Sequence, residues 1–342
     1  MFKAKIWVVA AAMVLVAFGA MASNFRVADQ VYVPIAGHVQ GGSSLFVSDI
    51  FISNLSTTDA VQVSIIYGPQ NGKGNFQSFA NRITLAANER KEFVDFFQTV
   101  LPEISNPFGL LVFNACKSGA DCTPDPTNFE NANFRPISVE SRIYAIDVGS
   151  SPATAASKGQ DMPGIPWYNF VSSSESAAGL AKVFITGFRS NTGYRGNLGV
   201  VNASQFSSTQ IIATLKDGAT GAPVGNQHVF NLAPLTFEQP SLTSAFGSVG
   251  SGTNLYVDLE QGPSTPVVGG PNDAVANGCN DGCPAYLAFG SVLDNQTSDP
   301  TTLEAQYKQS LTGAQIGCIY NPDLFTCAAK VGAKPLHRAV KH

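Results

Sequence analysis

Apolar and polar residues alternate along most of this chain with a period of two. Val61, Val63, Ile65 and Tyr67 fall on one side of the alternation, and Ile211, Ala213 and Leu215 repeat the pattern further on. A period of two puts such residues on one face of an extended strand, which is then half buried. Runs rich in Val, Ile, Phe and Tyr at 31–36, 45–53, 61–67, 79–85, 109–115 and 137–146 predict strands. A second set follows at 182–188, 194–201, 209–215, 227–232, 254–259 and 285–294. Between them lie turn-forming clusters such as Gly68-Pro69-Gln70-Asn71-Gly72 and Asp217-Gly218. No long helical period occurs, and only Phe93–Leu101 and Leu242–Phe246 read as short helical turns. About seven strands in each half predict an all-β chain of two tandem antiparallel β-sandwiches of immunoglobulin-like type.

The two sets are copies of one unit. Residues Phe46–Gly68 lie over Tyr194–Lys216 without a gap, at an offset of 148. Asn54, Ser56 and Gln62 then fall on Asn202, Ser204 and Gln210. Further matches follow in the same order: Leu85-Ala86 with Leu232-Ala233, LLVF at 110–113 with LYVDL at 255–259, and SRIY at 141–144 roughly with SVLD at 291–294. A period this long marks duplication of a whole domain. The expected units are repeats at 30–148 and 180–300, with a C-terminal extension at 301–342. The stretch 149–179 is rich in Ser, Ala, Gly and Pro and reads as a linker. Within it Pro163, Pro166, Trp167 and Tyr168 predict a part packed against a domain or wedged between the two.

The N-terminus carries an address. Lys3 and Lys5 precede an apolar run from Ile6 to Phe18, and Ala20-Met21-Ala22 supplies the small-x-small pattern. Residues 1–22 are therefore expected to be a cleaved signal peptide, and the run is too short for a membrane anchor. The mature chain is expected to be exported, to the cell surface, the outside or the periplasm, without a transmembrane anchor. Formal net charge is −4, or −6 without Lys3 and Lys5, and only 13% of residues are charged. That balance argues against a nucleic-acid partner, which would need a basic face. The one basic stretch is the tail, with Lys330, Lys334, His337, Arg338, Lys341 and His342.

The cysteines form three close pairs, Cys116/Cys122, Cys279/Cys283 and Cys318/Cys327. In an exported chain such pairs read as disulfides, with nearest neighbours joined, although sequence alone leaves the connectivity open. Their spacings do not make a zinc ligand set. Two of the pairs fall in insertions at matching places, Asn114–Arg135 and Glu260–Cys283, before the last strand of each copy. Both excursions are thus expected at the same end of their sandwiches, where a rigid scaffold presents loops for binding. Asp121, Asp125, Asn272, Asp273, Asn280 and Asp281 are the candidate binding residues in them. Oxygen-rich loops can hold calcium, but no EF-hand spacing is present and no metal or cofactor is expected.

Catalytic chemistry finds little support. The histidines are His38, His228, His337 and His342, and neither His38 nor His228 has a counterpart in the other copy. His38 reads as part of a Gly-rich turn after the first strand. The acids Asp95, Glu103, Glu140 and Asp147 could form a carboxylate pair, but copy two mostly lacks them. Nucleophile elbows, metalloprotease helices and phosphate loops are missing from the sequence. No catalytic residue is assigned. Asn54, Asn202 and Asn295 begin Asn-x-Ser/Thr triplets. The two at matching positions read as strand-end asparagines that cap the following turn.

YRGNLGVVNAS at 194–204 and SVLDNQTSDP at 291–300 carry a resemblance, as do VPIAGH at 33–38 and SRIY…GIP at 141–166. With these motifs the chain resembles an uncharacterised group of exported bacterial proteins with tandem immunoglobulin-like β-sandwich repeats. The resemblance covers most of residues 31–300 and implies paired sandwiches at or outside the cell envelope, with no catalytic residue. The expected function is that of a non-enzymatic structural or adhesion protein, with itself or other envelope components as partners. A second reading is a polysaccharide- or protein-binding module acting through the Cys-stapled loops. A hydrolase using His38 or His228 comes third.

Overall fold

The computed structural model describes residues 27–70, 74–122, 131–155, 157–167, 170–172, 182–205, 207–262, 265–266, 285–297 and 299–307. The expected signal peptide, the basic tail, Tyr168 and four cysteines (Cys279, Cys283, Cys318, Cys327) lie outside them, as do Asp125, Asn272, Asp273, Asn280 and Asp281.

The chain is all-β, built from antiparallel strands. The first repeat comprises β1 (Gln30–Gly41), β2 (Ser44–Asn54), β3 (Val61–Pro69), β4 (Gln77–Leu85), β5 (Arg90–Phe93), β6 (Phe108–Lys117), β7 (Ile137–Asp147), β8 (Lys158–Pro163) and β9 (Ile165–Pro166), with helix α1 (Phe96–Val100) after β5. One sheet runs β4-β3-β6-β1-β9, and the other runs β8-β7-β2, with β5 on the free edge of β2. Strand β1 serves both, since Gln30–Gly37 pair with β6 and His38–Gly41 pair with β2. Its register shifts between Val33 and Ala36, around Pro34, which has no amide hydrogen to give the ladder. His38 thus lies within β1, where sequence placed it in a following turn.

The second repeat retraces the first. Its elements are β10 (Val171–Ser172), β11 (Lys182–Ser190), β12 (Tyr194–Asn202), β13 (Ser207–Asp217), β14 (His228–Leu232), β15 (Phe237–Glu238), α2 (Leu242–Phe246), β16 (Gly252–Gln261), β17 (Thr265–Pro266), β18 (Ala285–Asp294), β19 (Pro300–Glu304) and β20 (Gln306–Tyr307). One sheet runs β14-β13-β16-β11-β20, and the other centres on β18, β12 and β15 with β10 and β19 along the free edge of β18. Most pairings correspond: β11 stands for β1, β12 for β2, β16 for β6, β18 for β7, β19 for β8 and β20 for β9, while the β1–β2 pairing has no counterpart among the described strands of the second repeat. Ile50 pairs with Ser141 and its counterpart Leu198 with Gly290, so SRIY matches GSVL at 290–293, one residue earlier than the sequence comparison gave.

Strand pairing also draws the repeats longer than composition did. Residues 158–166 from the expected linker supply β8 and β9 to the first sandwich, and residues 301–307 from the expected extension supply β19 and β20 to the second. Trp167 is buried, and its indole N–H donates to Asp29 at 3.2 Å.

A single apolar cluster runs from inside the first sandwich across to Val201, Ala203, Leu235, Phe237, Ala285, Leu287 and Phe289 of the second. Strand β18 explains how. Tyr286, Ala288 and Val292 face the interior of the second sandwich, while Ala285, Leu287 and Phe289 face the first repeat. Both faces of this strand are covered, which is why its sequence is nearly continuously apolar. Across the seam, Tyr32 reaches the Ala203 carbonyl at 3.3 Å and packs edge-on against Phe170, and Phe108 meets Phe237. Each large side chain buried there stabilises the pairing by about 1.5–3 kcal/mol. Gly68 permits the close approach, because a Cβ there would run into the Leu235 carbonyl. At the side of the seam, Ser291 donates to Gln160 and Thr302 donates to the Asp161 carbonyl. The two sandwiches thus stack as four layers, with the β4-β3-β6-β1 sheet against the β18-β12 sheet in the middle.

Candidate functional site

Two groups of polar side chains come together in the first repeat. One closes the pole from which the first stapled excursion leaves. Cys116 and Cys122 are bonded to each other, so the nearest-neighbour expectation holds for this pair. Asp59, in the β2–β3 connection, is gripped by Lys117 Nζ at 2.9 Å and Arg135 Nε at 2.8 Å. Lys117 and Arg135 flank the excursion, so the ion pairs tie its two roots to the neighbouring loop. The Lys117 hydrogen bond, then that of Arg135, hold the Asp59 carboxyl below the ordinary carboxylate range. Asp121 is exposed, and its backbone carbonyl accepts from the side chains of Asn131 and Asn133.

The second excursion has its roots in the other repeat. It leaves β16 after Gln261 and rejoins at Ala285, which belongs to the inter-repeat cluster. The two excursions hold equivalent places in the strand order, between β6 and β7 and between β16 and β18.

The other group sits on the outward face of the β8-β7-β2 sheet. His38 Nδ1 lies 2.8 Å from Asp95 Oδ1. The backbone N–H of Asp95 and the hydroxyl of Tyr144 both donate to Asp49 Oδ1, each at 2.9 Å. The Arg142 guanidinium lies 4.8 Å from the Tyr144 ring centre and donates to Ser157. Val47, Tyr144 and Ile146 form a small apolar cluster beside this network, partly covered by Leu45 and Ala155. Burial, and then the Asp49 hydrogen bond, push the Tyr144 hydroxyl far above its ordinary pKa, so it stays a donor at any physiological pH.

Comparison with the second repeat shows what is special here. Asn197 replaces Asp49 and Leu293 replaces Tyr144. Ser241 stands before α2 as Asp95 stands before α1, but its side chain caps the helix by accepting from Ser244 N–H. Asp95 makes no such cap and is left-handed at φ 49, so its carboxylate is available to His38. The network is therefore an addition to the scaffold, confined to one copy. Among the described residues, Asp95 is the one side chain bonded to His38, and no Ser, Thr or Cys hydroxyl or thiol is positioned as its nucleophile. His228 packs against the Phe230 ring, with centroids 4.5 Å apart. Sequence reading considered Asp95 and His38 separately and missed Asp49 and Tyr144. The available signal was that Asp49 breaks the match to Asn197 at a strand centre.

The matched asparagines are structural. Asn54 donates to the carbonyls of Asp59 and Ala86, and Asn202 to those of Leu232 and Ala233. Each side-chain oxygen also accepts from the amide two residues on, at Ser56 and Ser204.

The chain matches no protein-family model and no curated protein. Among solved structures it is similar to a Streptomyces avermitilis α-L-rhamnosidase complexed with L-rhamnose, at 13% identity and a TM-score of 0.20, over 83% of this chain and 26% of that one. A Bacteroides uniformis β-glucuronidase 2, covalently bound to cyclophellitol-6-carboxylate aziridine, aligns at 11% identity and 0.15, over 80% and 25% of the two chains. The BSP domain of a biofilm-associated protein aligns at 9% identity and 0.17, over 84% and 60%. The chain spans about a quarter of the length of the first two, and likenesses this slight carry no argument about function.

Proposed function

We propose that this chain is an exported, non-enzymatic structural or adhesion protein of the cell surface that assembles with copies of itself. The observation that carries the reading is the apolar seam that locks two sandwiches into one four-layer body. Such a body is a stiff building block, because bending it at the seam would expose Phe237, Leu287 and Phe289 to water. The Cys116–Cys122 disulfide supports an oxidising location. Among the described residues no helix is long and apolar enough to cross a membrane.

Light scattering on the mature chain over a wide concentration range tests the reading. Large species that grow with concentration are expected, and a strict monomer at every concentration would overturn it. A second reading, a binding module for extracellular polysaccharide or protein, draws on the stapled pole gripped by Asp59, Lys117 and Arg135. Deleting 123–130 should then abolish binding to that ligand while leaving the melting transition in place.

A further inference from the structure

The two outermost sheets of the stack are polar versions of the two sheets that meet at the seam. Strand register aligns them position by position. In the first repeat Ile66, Val112, Tyr32 and Ile165 form one cross-strand row on the seam face, with Gly68 and Leu110 in a neighbouring row. The corresponding row of the second repeat is Thr214, Asp258, Phe184 and Gln306, with Lys216 and Tyr256 beside it. Ile66, Val112, Tyr32 and Leu110 are at most 2% exposed. On the outer sheet Asp258 instead holds Lys216 at 2.7 Å, and Glu260 holds Lys182 at 2.7 Å where the first repeat has Asn114 and Gln30.

The other pair of sheets shows the same exchange. Phe237, Val201 and Leu287 form a row of the second repeat that faces the first, followed by Gly199 and Phe289. Their counterparts on the outer sheet of the first repeat are Arg90, Ser53 and Ser138, followed by Phe51 and Glu140. Arg90 and Glu140 are exposed.

One exchange decides the matter by its size. A Cβ on Gly68 would run into the Leu235 carbonyl, so the seam sheets meet only because that position carries no side chain. Lys216 stands at the equivalent position of the second repeat. A sandwich laid there in the manner of the seam would drive a lysine side chain into backbone and bury Asp258, Arg90 and Glu140 away from water. The turn that meets Gly68 follows the same division. Leu235 and Asn88 are counterparts, since their N–H groups donate to the carbonyls of Ser204 and Ser56, and both are left-handed at φ 48 and 57. Asparagine adopts that conformation readily and is exposed, whereas leucine adopts it at a cost and is fully buried beside the first repeat.

We propose that both outermost sheets are end faces, and that Lys216 is the residue that stops a second copy of this chain from continuing the stack. Arrays of like units need such polar ends to stay finite. Within the self-assembling reading, on which this consequence rests, copies join without covering either end face.

The test divides a seam-type contact between two full mature chains. One carries K182Q/K216G/D258V/E260N, which gives its outer sheet the first repeat's seam residues at those positions. The other carries F51G/S53V/R90F/S138L/E140F, which gives its outer sheet the seam residues of the second repeat. Light scattering on the mixture should find a one-to-one pair, formed at a concentration about tenfold or more below that at which either variant associates with itself. Keeping Lys216 in the first partner, as K182Q/D258V/E260N, should lose the pair. A pair that persists with Lys216 present would overturn the assignment, as would no pair between variants that each melt in one cooperative transition. Acetylation of lysine amines on the unaltered chain needs no variant. Lys182 and Lys216 should react equally fast in dilute solution and in large species, and protection of both in large species would overturn the proposal while leaving self-assembly standing. An unaltered chain that stays monomeric while the variants pair would overturn the self-assembling reading alone.

Discussion

Asn54 and Asn202 hold the same position in the two repeats and perform the same task. Each carboxamide bridges the end of its strand to the loop that follows the fourth strand of its sandwich, at Ala86 and at Ala233. Both are almost fully buried, at 2% and 0% exposure. Two donors and one acceptor per side chain satisfy backbone groups that water cannot reach.

Replacing either asparagine by alanine should therefore cost about 2–4 kcal/mol, since buried carbonyls lose their donors. Asp should be nearly as harmful, because it supplies no N–H. Urea unfolding of N54A, N54D and N202A checks this, and a loss under about 0.5 kcal/mol would contradict the assigned role.

Burial also separates the three Asn-x-Ser/Thr triplets. Asn295 is exposed in the β18–β19 turn, where it holds Arg195 and the Thr192 carbonyl. Secreted from a host that glycosylates such triplets, the folded chain should carry its glycan at Asn295 and leave Asn54 and Asn202 bare. Peptide mapping reads this directly, and a glycan at Asn54 on folded protein would contradict the loop geometry.

Gly68→Ala should open the seam. The added methyl meets the Leu235 carbonyl, a backbone atom that cannot swing aside, so overpacking should cost about 1–3 kcal/mol. The melting transition should fall by that much in G68A and by less in G119A, where the new methyl meets nothing within 4 Å. The φ of 75 at Gly119 makes that control mildly destabilising in its own right.

The acid limb of stability should depend on Asp59. Its carboxyl is held below the ordinary range by Lys117 and Arg135, so the folded chain binds this proton less readily than the unfolded chain does. Its contribution is complete above the ordinary carboxylate pKa of about 4 and fades as pH falls through the lower folded value. Asp59→Asn should flatten the pH dependence of unfolding below about pH 4 and leave its slope near pH 7 unchanged. An unaltered acid limb would show that the two cations do not act on Asp59.

Removing the Cys116–Cys122 bond should cost about 2 kcal/mol, the chain-entropy value for so short a loop. Melting of C116S/C122S, with and without reductant on the parent, measures it. The seam should survive, since Tyr32, Gly68 and Phe108, which make its contacts, lie outside the 116–122 loop.

The strands were legible because burial on one face imposes a period of two. Sequence runs at 45–53 and 285–294 match β2 and β18 to within a residue, and Leu242–Phe246 is α2. Strand β8 was not legible. Its residues, Lys158-Gly159-Gln160-Asp161-Met162-Pro163, bury little and become a strand only because β7 offers an open edge. The same holds for β19, whose Pro300-Thr301-Thr302-Leu303-Glu304 lies along β18.

Local pattern and self-similarity were enough to establish an all-β chain of two like sandwiches, since each strand records in its own residues which face is buried. They also placed a disulfide at Cys116–Cys122 and a structural asparagine in each copy. Tertiary structure decided the rest. His38, Asp49, Asp95 and Tyr144 lie up to 106 residues apart and meet only because β1, β2 and β7 are neighbours in one sheet. The seam was hidden for a related reason. A strand buried on both faces, such as β18, looks the same in sequence whichever surface covers its second face. Nothing local tells Leu287 and Phe289 that their cover is the other repeat.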